Sequence, residues 1–126
     1  KRAHDWSFDA GVTVPGSSAP EFKGETNRVD PEEALVASLS SCHMLTFLAI
    51  CARKRLVVDS YVDEAVGVMT KNDKGKLWIS KVTLRPKIAF SGKQPTAEEI
   101  EHLHHASHEN CFIANSVLTE IVVEPA

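Results

Sequence analysis

The feature that most constrains this chain is an uninterrupted apolar segment over residues 30–53, DPEEALVASLSSCHMLTFLAICAR. Asp30 predicts an N-cap, Pro31 suits the first helical position, and Glu33 stands where the acid of a capping box is expected. No further Pro or Gly interrupts the segment. It therefore predicts a single long helix, about 36 Å in length at 1.5 Å per residue.

This helix is apolar on nearly every face, since Thr46 is the only residue between positions 44 and 52 that is not apolar. Such a helix is expected to be surrounded by protein and not merely laid on a surface. One chain of 126 residues has few elements with which to cover it. We therefore expect an obligate, intertwined homodimer with two-fold symmetry.

Composition and charge exclude several classes of partner. The net charge is about −3, and no long run of Lys or Arg is present, which argues against nucleic acid and against anionic membranes. No apolar run reaches membrane-spanning length without a polar residue, and the first residues lack a signal-peptide pattern. These features predict a cytoplasmic protein.

The three cysteines, Cys42, Cys51 and Cys111, are too few and too odd in number for a secreted disulfide scaffold. In a reducing compartment, a cysteine pair is more often catalytic, redox-active or metal-binding than structural. Cys51 follows Cys42 by nine residues, which places it on the opposite side of the helix and about 13 Å further along. We expect Cys51 to be a small core residue.

The rest of the chain is predicted to be mainly strands with one more helix. We expect a hairpin from 2–8 and 12–14, an irregular loop over 15–30, strands at 56–58, 62–70, 77–90 and 116–123, and a helix capped by Thr96 and Glu99 that ends near Asn110. This order predicts a single α+β domain over residues 1–126 with an antiparallel sheet.

Cys42 and Cys111 are the candidate reactive residues, although 69 positions separate them. Cys42 lies in a polar notch of an otherwise apolar helix, and Cys111 follows a polar turn at the end of the second helix. Structural thiols more often lie among apolar neighbours. The residues alone leave two possibilities open, a redox pair or two inert packing residues.

Four histidines, His102, His104, His105 and His108, form a second cluster with helical i,i+3 and i,i+4 spacings. The HExxH pattern of zinc enzymes is absent, so we predict no native metal or cofactor. A minor alternative is zinc bound by His104, His108 and a cysteine.

Cys42 must become a thiolate to act as a nucleophile. It lies about twelve residues into the helix, beyond the reach of the N-terminal dipole. A cation must therefore come from another segment, and Arg2 and Arg28 are the candidates. Glu32 and Glu33, at the start of the helix, are the acids that could hold such an arginine.

Two motifs resemble those of the OsmC/Ohr family of thiol peroxidases. Residues 30–35, followed by small residues leading into Cys42, resemble its Asn/Asp-Pro-Glu-Glu/Gln…Cys signature, and residues 108–111 resemble its second-cysteine motif. Residues 2–9 fit its early arginine segment. The resemblance covers nearly the whole chain, and the Ser-Ser-Cys-His context is similar to the less-studied OsmC-like branch.

The resemblance implies an intertwined α+β homodimer in which antiparallel sheets wrap two long buried central helices. It also implies the reduction of alkyl or lipid hydroperoxides to alcohols, with recycling by a dithiol reductant such as a lipoylated protein. By position, Cys42 matches the peroxidatic cysteine and Cys111 the resolving one. Arg2 matches the activating arginine, and Glu32 matches the acid paired with it.

Helix geometry adds a constraint to these roles. If the helix begins at Pro31, Glu32 lies about 15 Å along the axis from Cys42 and cannot touch that thiol in the same helix. Either the chain is not yet helical at Glu32, or the Glu32–arginine pair meets Cys42 of the other subunit. We expect the second, with Arg28 as a rival to Arg2.

An apolar wall beside the thiol would favour organic peroxides over hydrogen peroxide, and Leu39, Leu45 and Phe112 are candidates for it. The competing interpretation is a non-enzymatic module that binds a hydrophobic ligand on the same fold, because a fold does not determine function.

Overall fold

The structure is a computed structural model that describes residues 1–126. The chain divides into two compact units, Lys1–Leu35 and Val36–Ala126. The sequence-based expectation of a single domain over residues 1–126 stays a prediction.

The amino-terminal unit contains the predicted hairpin. Strands β1 (His4–Ser7) and β2 (Thr13–Gly16) pair antiparallel, and Gly11, at φ 80°, allows the left-handed turn between them. The segment predicted to be an irregular loop contains one short 3₁₀ helix, Pro20–Phe22, and a single parallel bridge between Gly16 and Val29. The hairpin prediction is thus confirmed.

The long helix α1 spans Pro31–Arg53, as predicted. The backbone N–H of Glu33 donates to Asp30 Oδ1 at 2.8 Å, and the backbone N–H of Asp30 donates to Glu33 Oε1 at 3.1 Å. These two bonds form the predicted capping box, which satisfies donors that a helix start leaves open.

Much of α1 stays uncovered within one chain. Its buried residues are Leu39, His43, Phe47, Ile50 and Cys51. By length and composition alone α1 could cross a membrane, but a core helix of a soluble protein meets the same criterion. In its most apolar 18-residue window only 28% is buried, so α1 retains an apolar surface that the chain does not cover.

The carboxy-terminal unit contains two sheets, which confirms the α+β class. Strand β3 (Val57–Asp63) pairs antiparallel with β6 (Pro86–Ser91). In the other sheet the order is β4 (Val66–Lys71), β5 (Leu77–Leu84) and β7 (Glu120–Val123). The β4–β5 pair is antiparallel, whereas β5 and β7 run parallel, which the prediction of an antiparallel sheet did not include.

The prediction of one long strand over residues 77–90 was wrong, because the chain changes sheets at Arg85. The backbone N–H of Arg85 donates to Asp63 Oδ1 at 2.6 Å and not to a neighbouring strand. Pro86 follows with no N–H to donate, and it begins β6 opposite Asp63. The segment predicted as a strand over residues 62–70 is likewise divided between β3 and β4.

Helix α2 spans Ala97–Asn110 and begins with the predicted capping box. The backbone N–H of Glu99 donates to the Thr96 hydroxyl at 3.1 Å, and Thr96 N–H donates to Glu99 Oε1 at 3.1 Å. The helix ends at Asn110, so Cys111 is its C-cap. The closing strand β7 (Glu120–Val123) is shorter than the predicted 116–123, and a 3₁₀ helix, Ala114–Ser116, includes the first residue of the predicted strand.

The hydrophobic core joins α1, α2 and the β3–β6 sheet. Its buried members are Phe47, Ile50, Cys51, Leu56 and Leu103. Partly buried side chains from β3, β6 and α2 pack against it, namely Val58, Tyr61, Ile88, Phe90 and Ala106. Cys51 is thus the small core residue that its position predicted.

Phe47 is the central side chain of this core and supplies the first test. It is fully buried, with its ring centroid 5.8 Å from Tyr61, 6.4 Å from Phe90 and 4.6 Å from His104. Phe47→Ala should lower the free energy of unfolding by about 3–5 kcal/mol, because it removes buried area and leaves a cavity. Urea denaturation measures this loss.

The matched control is Phe8→Ala, because Phe8 is 52% exposed and has one edge contact, with Trp6. It should cost at most about 1.5 kcal/mol. Equal losses for the two variants would contradict the assignment of Phe47 to the core.

Candidate functional site

The structure brings Cys42 and Cys111 together. Cys42 is in the middle of α1, and Cys111 is the C-cap of α2, so the packing of the two helices joins thiols that are distant in sequence. The two side chains hydrogen-bond to each other, and both cysteines are free thiols. The pairing of these two residues was the central expectation from the sequence.

Cys42 is the acceptor in this contact. Burial raises the pKa of its thiol, but hydrogen bonds from the Cys111 thiol and from the backbone N–H groups of Ile113 and Phe112 outweigh that effect and lower the pKa below its ordinary value. The hydroxyl of Thr46 adds to the lowering. That hydroxyl has a single proton and also donates to the Cys42 carbonyl oxygen at 2.8 Å, so the Cys111 thiol and the two backbone N–H groups are the main donors to the sulfur.

The pKa of the Cys111 thiol is shifted in the opposite direction. It is 1% exposed, and burial, together with the hydrogen bond to Cys42, raises the pKa of its thiol. The backbone N–H of Ala114 donates to its sulfur at 3.4 Å. The pair therefore consists of one partly exposed thiol whose pKa is lowered and one buried thiol whose pKa is raised.

The surface around Cys42 is apolar and open. Leu45, one turn further along α1, is 60% exposed, and Phe112, next to Cys111, is 82% exposed. Of the three side chains suggested as an apolar wall, Leu39 instead lies in the interior at 1% exposure. Leu45 and Phe112 remain available to contact an apolar molecule or another protein surface.

A buried histidine pair joins the same two helices. His43 Nε2 and His104 Nδ1 are 3.0 Å apart and share one hydrogen bond, and the two ring planes are nearly parallel, at 12°, with centroids 5.3 Å apart. The ring of Phe47 stacks on the ring of His104. The sequence marked His43 as a polar neighbour of Cys42 and His104 as a member of the histidine cluster of α2, but it did not indicate that the two contact each other.

Both histidines of this pair are uncharged at neutral pH. Burial lowers the pKa of His43 to about 4, assisted by repulsion from His104 and His108. Burial likewise lowers the pKa of His104 to about 4, and the opposing attraction of Asp63 does not restore it. No group of three or more potential metal ligands is arranged to hold an ion, so the zinc alternative finds no support.

The predicted charged residues of the site, Arg2, Arg28 and Glu32, belong to the amino-terminal unit. Arg28 donates to the carbonyl oxygens of His4 and Gly16, and it pairs with Asp5 at 3.3 Å and with Glu25 at 3.5 Å. Its guanidinium is thus occupied by the hairpin and the loop of its own unit.

The side chains of Arg2 and Glu32 make fewer polar contacts within that unit than Arg28 does. Arg2 is exposed, and its side chain has no carboxylate within 4.0 Å in residues 1–126. Glu32 Oε2 is buried, and no atom of the chain hydrogen-bonds to it. Their roles at the site remain the prediction made from the sequence.

Comparison with known families and structures identifies what this chain is similar to. The family model described as OsmC-like protein matches residues 24–126. A solved OsmC-like protein of unknown function from Vibrio cholerae is 52% identical, with a TM-score of 0.96 over 99% of this chain and 84% of that chain. No curated protein sequence matches.

More distant structures share the fold. The organic hydroperoxide resistance protein OhrB of Bacillus subtilis is 21% identical, with a TM-score of 0.78 over 100% of this chain and 92% of that chain. An organic hydroperoxide resistance protein from Elizabethkingia anophelis is 18% identical, with a TM-score of 0.78 over 98% and 86% of the two chains. At such identities the likeness establishes the fold alone.

The histidine pair predicts a decline of stability in acid. Because the pKa of His43 and His104 is about 4 in the folded chain and near 6.5 when unfolded, the unfolded state binds more protons between these values. The free energy of unfolding should therefore be highest above pH 6.5. It should fall as the pH is lowered towards 4, by at most about 1.4 kcal/mol per pH unit for each histidine.

Urea denaturation between pH 7 and pH 5 measures this slope, in a range where few carboxylates titrate. His104→Gln should reduce the slope, because it removes one of the two buried histidines. His105→Gln is the matched control, since the His105 side chain is 72% exposed and lies outside the buried pair. A free energy of unfolding that stays constant over this range would contradict the prediction.

Proposed function

This chain belongs to the OsmC-like protein family, and on that basis we propose that it is a cysteine-based peroxidase that reduces organic hydroperoxides to alcohols. The observation that carries the proposal is the contact between the Cys42 and Cys111 thiols, with pKa values shifted in opposite directions. The names of the distant structures, organic hydroperoxide resistance proteins, agree with this substrate class.

In the first step the Cys42 thiolate attacks the terminal oxygen of the hydroperoxide ROOH. The O–O bond breaks, Cys42 becomes a sulfenic acid, and the alkoxide leaves and takes up a proton to form the alcohol ROH. Cys42 suits this step because it is more exposed than Cys111 and has the lowered pKa.

In the second step the Cys111 thiol attacks the sulfenic sulfur of Cys42, forming a disulfide and releasing water. The hydrogen bond between the two side chains supports this role, because the resolving thiol already adjoins the reacting sulfur. A dithiol reductant, for which a lipoylated protein is our candidate, then reduces the disulfide and restores both thiols while forming its own disulfide.

We assign the activation of Cys42 to Arg2, paired with Glu32. A guanidinium stays protonated at all relevant pH values, so its charge favours the thiolate and can stabilise the departing alkoxide. The buried Glu32 Oε2 supports this pairing, because an unpaired buried carboxylate oxygen is costly. Arg28 fits the role less well, since its donors are already used.

We further propose that the protein is an intertwined homodimer in which Arg2 and Glu32 of one subunit serve Cys42 of the other. Helix α1 begins at Pro31, so Glu32 is helical and lies about 15 Å along the axis from the thiol of the same helix. The exposed Leu45 and Phe112 support the dimer, because they leave an apolar surface beside the thiol that a second chain would cover.

Single cysteine variants test the chemistry. With cumene hydroperoxide and dihydrolipoamide, Cys42→Ser should abolish turnover, and Cys111→Ser should allow one equivalent of sulfenic acid to form without multiple turnovers. Cys51→Ser is the control and should retain turnover, because burial raises the pKa of Cys51 and keeps it unreactive. Hydrogen peroxide should be consumed more slowly than cumene hydroperoxide.

Turnover by Cys42→Ser at the rate of the unmodified protein would contradict this mechanism. A protein that binds hydrophobic ligands but shows no turnover in any form would instead support the non-enzymatic alternative on the same fold.

Arginine variants test the activation of the thiol. Arg2→Ala should raise the pKa of Cys42 and slow peroxide reduction, because it removes the stabilising charge. The rate of Cys42 alkylation by iodoacetamide as a function of pH, followed by mass spectrometry, measures this pKa. Arg28→Ala is the comparison and should leave the alkylation profile unchanged. The reverse pattern would assign the activating role to Arg28.

A further inference from the structure

A short segment after helix α2 carries backbone donors for both thiols of the candidate site. We call residues 112–114, which follow Cys111, the donor segment. Its first two backbone N–H groups donate to the Cys42 sulfur, and the third, that of Ala114, donates to the Cys111 sulfur at 3.4 Å. Whatever orients this backbone therefore controls how well the two sulfurs are hydrogen-bonded.

The side chains of the donor segment do little to hold it in place. Phe112 is 82% exposed, and Ile113 and Ala114 are only partly buried. Ser116 donates to the carbonyl oxygens of Phe112 and Ile113, but these bonds lie within the turn and do not join it to the rest of the protein. The position of the donor segment therefore depends on hydrogen bonds to the end of helix α2.

Asn115 supplies these bonds from both its backbone and its side chain. Its backbone N–H donates to the Cys111 carbonyl oxygen at 3.1 Å, and its Nδ2 donates to the carbonyl oxygens of Glu109 and Cys111, each at 3.0 Å. The last carbonyls of a helix have no partner within the helix, so they are free to accept such bonds. The orientation of the amide is fixed, because only its NH₂ group can donate to a carbonyl.

We propose that Asn115 is a positioning residue for the thiol pair, and that its side-chain amide holds the donor segment so that the backbone N–H groups point at the two sulfurs. Asn115 acts through the backbone, since the bonds to the sulfurs come from other residues. N–H donors favour a sulfur anion over the neutral thiol, so their displacement disfavours the thiolate. The inference rests on the proposed function only in treating Cys42 as the reacting thiol.

The test follows alkylation of Cys42 by iodoacetamide as a function of pH, with mass spectrometry of the reduced, full-length protein. Asn115→Ala should move the midpoint of the profile to higher pH. Below that midpoint it should slow alkylation about two- to tenfold, the factor that corresponds to one lost hydrogen bond. Asn115→Asp keeps the shape of the side chain but replaces the NH₂ donor with a carboxylate oxygen, so it should slow alkylation at least as much.

Gln94→Ala is the matched control for the loss of a side-chain amide. Gln94 is exposed and also donates to two backbone carbonyls, those of Phe90 and Gly92, but it precedes the N-cap of α2, at the end of the helix away from Cys111. Its removal should leave the alkylation profile of Cys42 unchanged. An equal shift in Gln94→Ala and Asn115→Ala would overturn the proposal.

Two further measurements separate positioning from a general effect on stability. In Asn115→Ala the backbone amides of the donor segment should exchange hydrogen faster by NMR, whereas the free energy of unfolding in urea should change little, because Asn115 is exposed. An alkylation profile that stays unchanged in both Asn115 variants would overturn the proposal, whatever their stability. Iodoacetamide takes the place of the peroxide, so the result is read even if the unmodified protein shows no peroxide turnover.

Discussion

The packing of α2 against α1 is the constraint on which the rest of the structure depends. The hydrogen bond between His43 and His104 joins the two helices, and the fully buried ring of Phe47 packs beside it. The same pair of helices carries the two thiols, so what orients the core also sets their separation. The separation of the two thiols in the candidate site is therefore set by the packing of the hydrophobic core.

Neighbouring residues of α1 meet opposite electrostatic requirements. His43 faces the interior, where burial keeps its ring uncharged, whereas Cys42 faces donors that stabilise a negative sulfur. Successive residues of a helix point about 100° apart, so His43 can face the buried core while Cys42, in the same turn, faces the partly exposed thiol site. This division accounts for the polar notch of residues 40–43 in an otherwise apolar helix.

Local signals predicted much of the fold, and contacts between distant residues account for most of the misses. Both capping boxes and the limits of α1 could be predicted because the interacting residues are three positions apart. The break at Arg85 could not, because its acceptor, Asp63, lies 22 residues away. The candidate cysteines were distinguished by their polar surroundings, but the His43–His104 bond spans 61 residues and left no local pattern.

The burial of Cys51 determines which disulfides can form before and after the chain folds. An unfolded chain presents three thiols of similar reactivity, and any two could be oxidised together. When the core forms, Cys51 becomes buried, at 1% exposure. Cys42 and Cys111 are then the two thiols that lie next to each other. Folding thus restricts disulfide formation to Cys42 and Cys111. A newly made chain is therefore protected from disulfides that include Cys51 only after its core has formed.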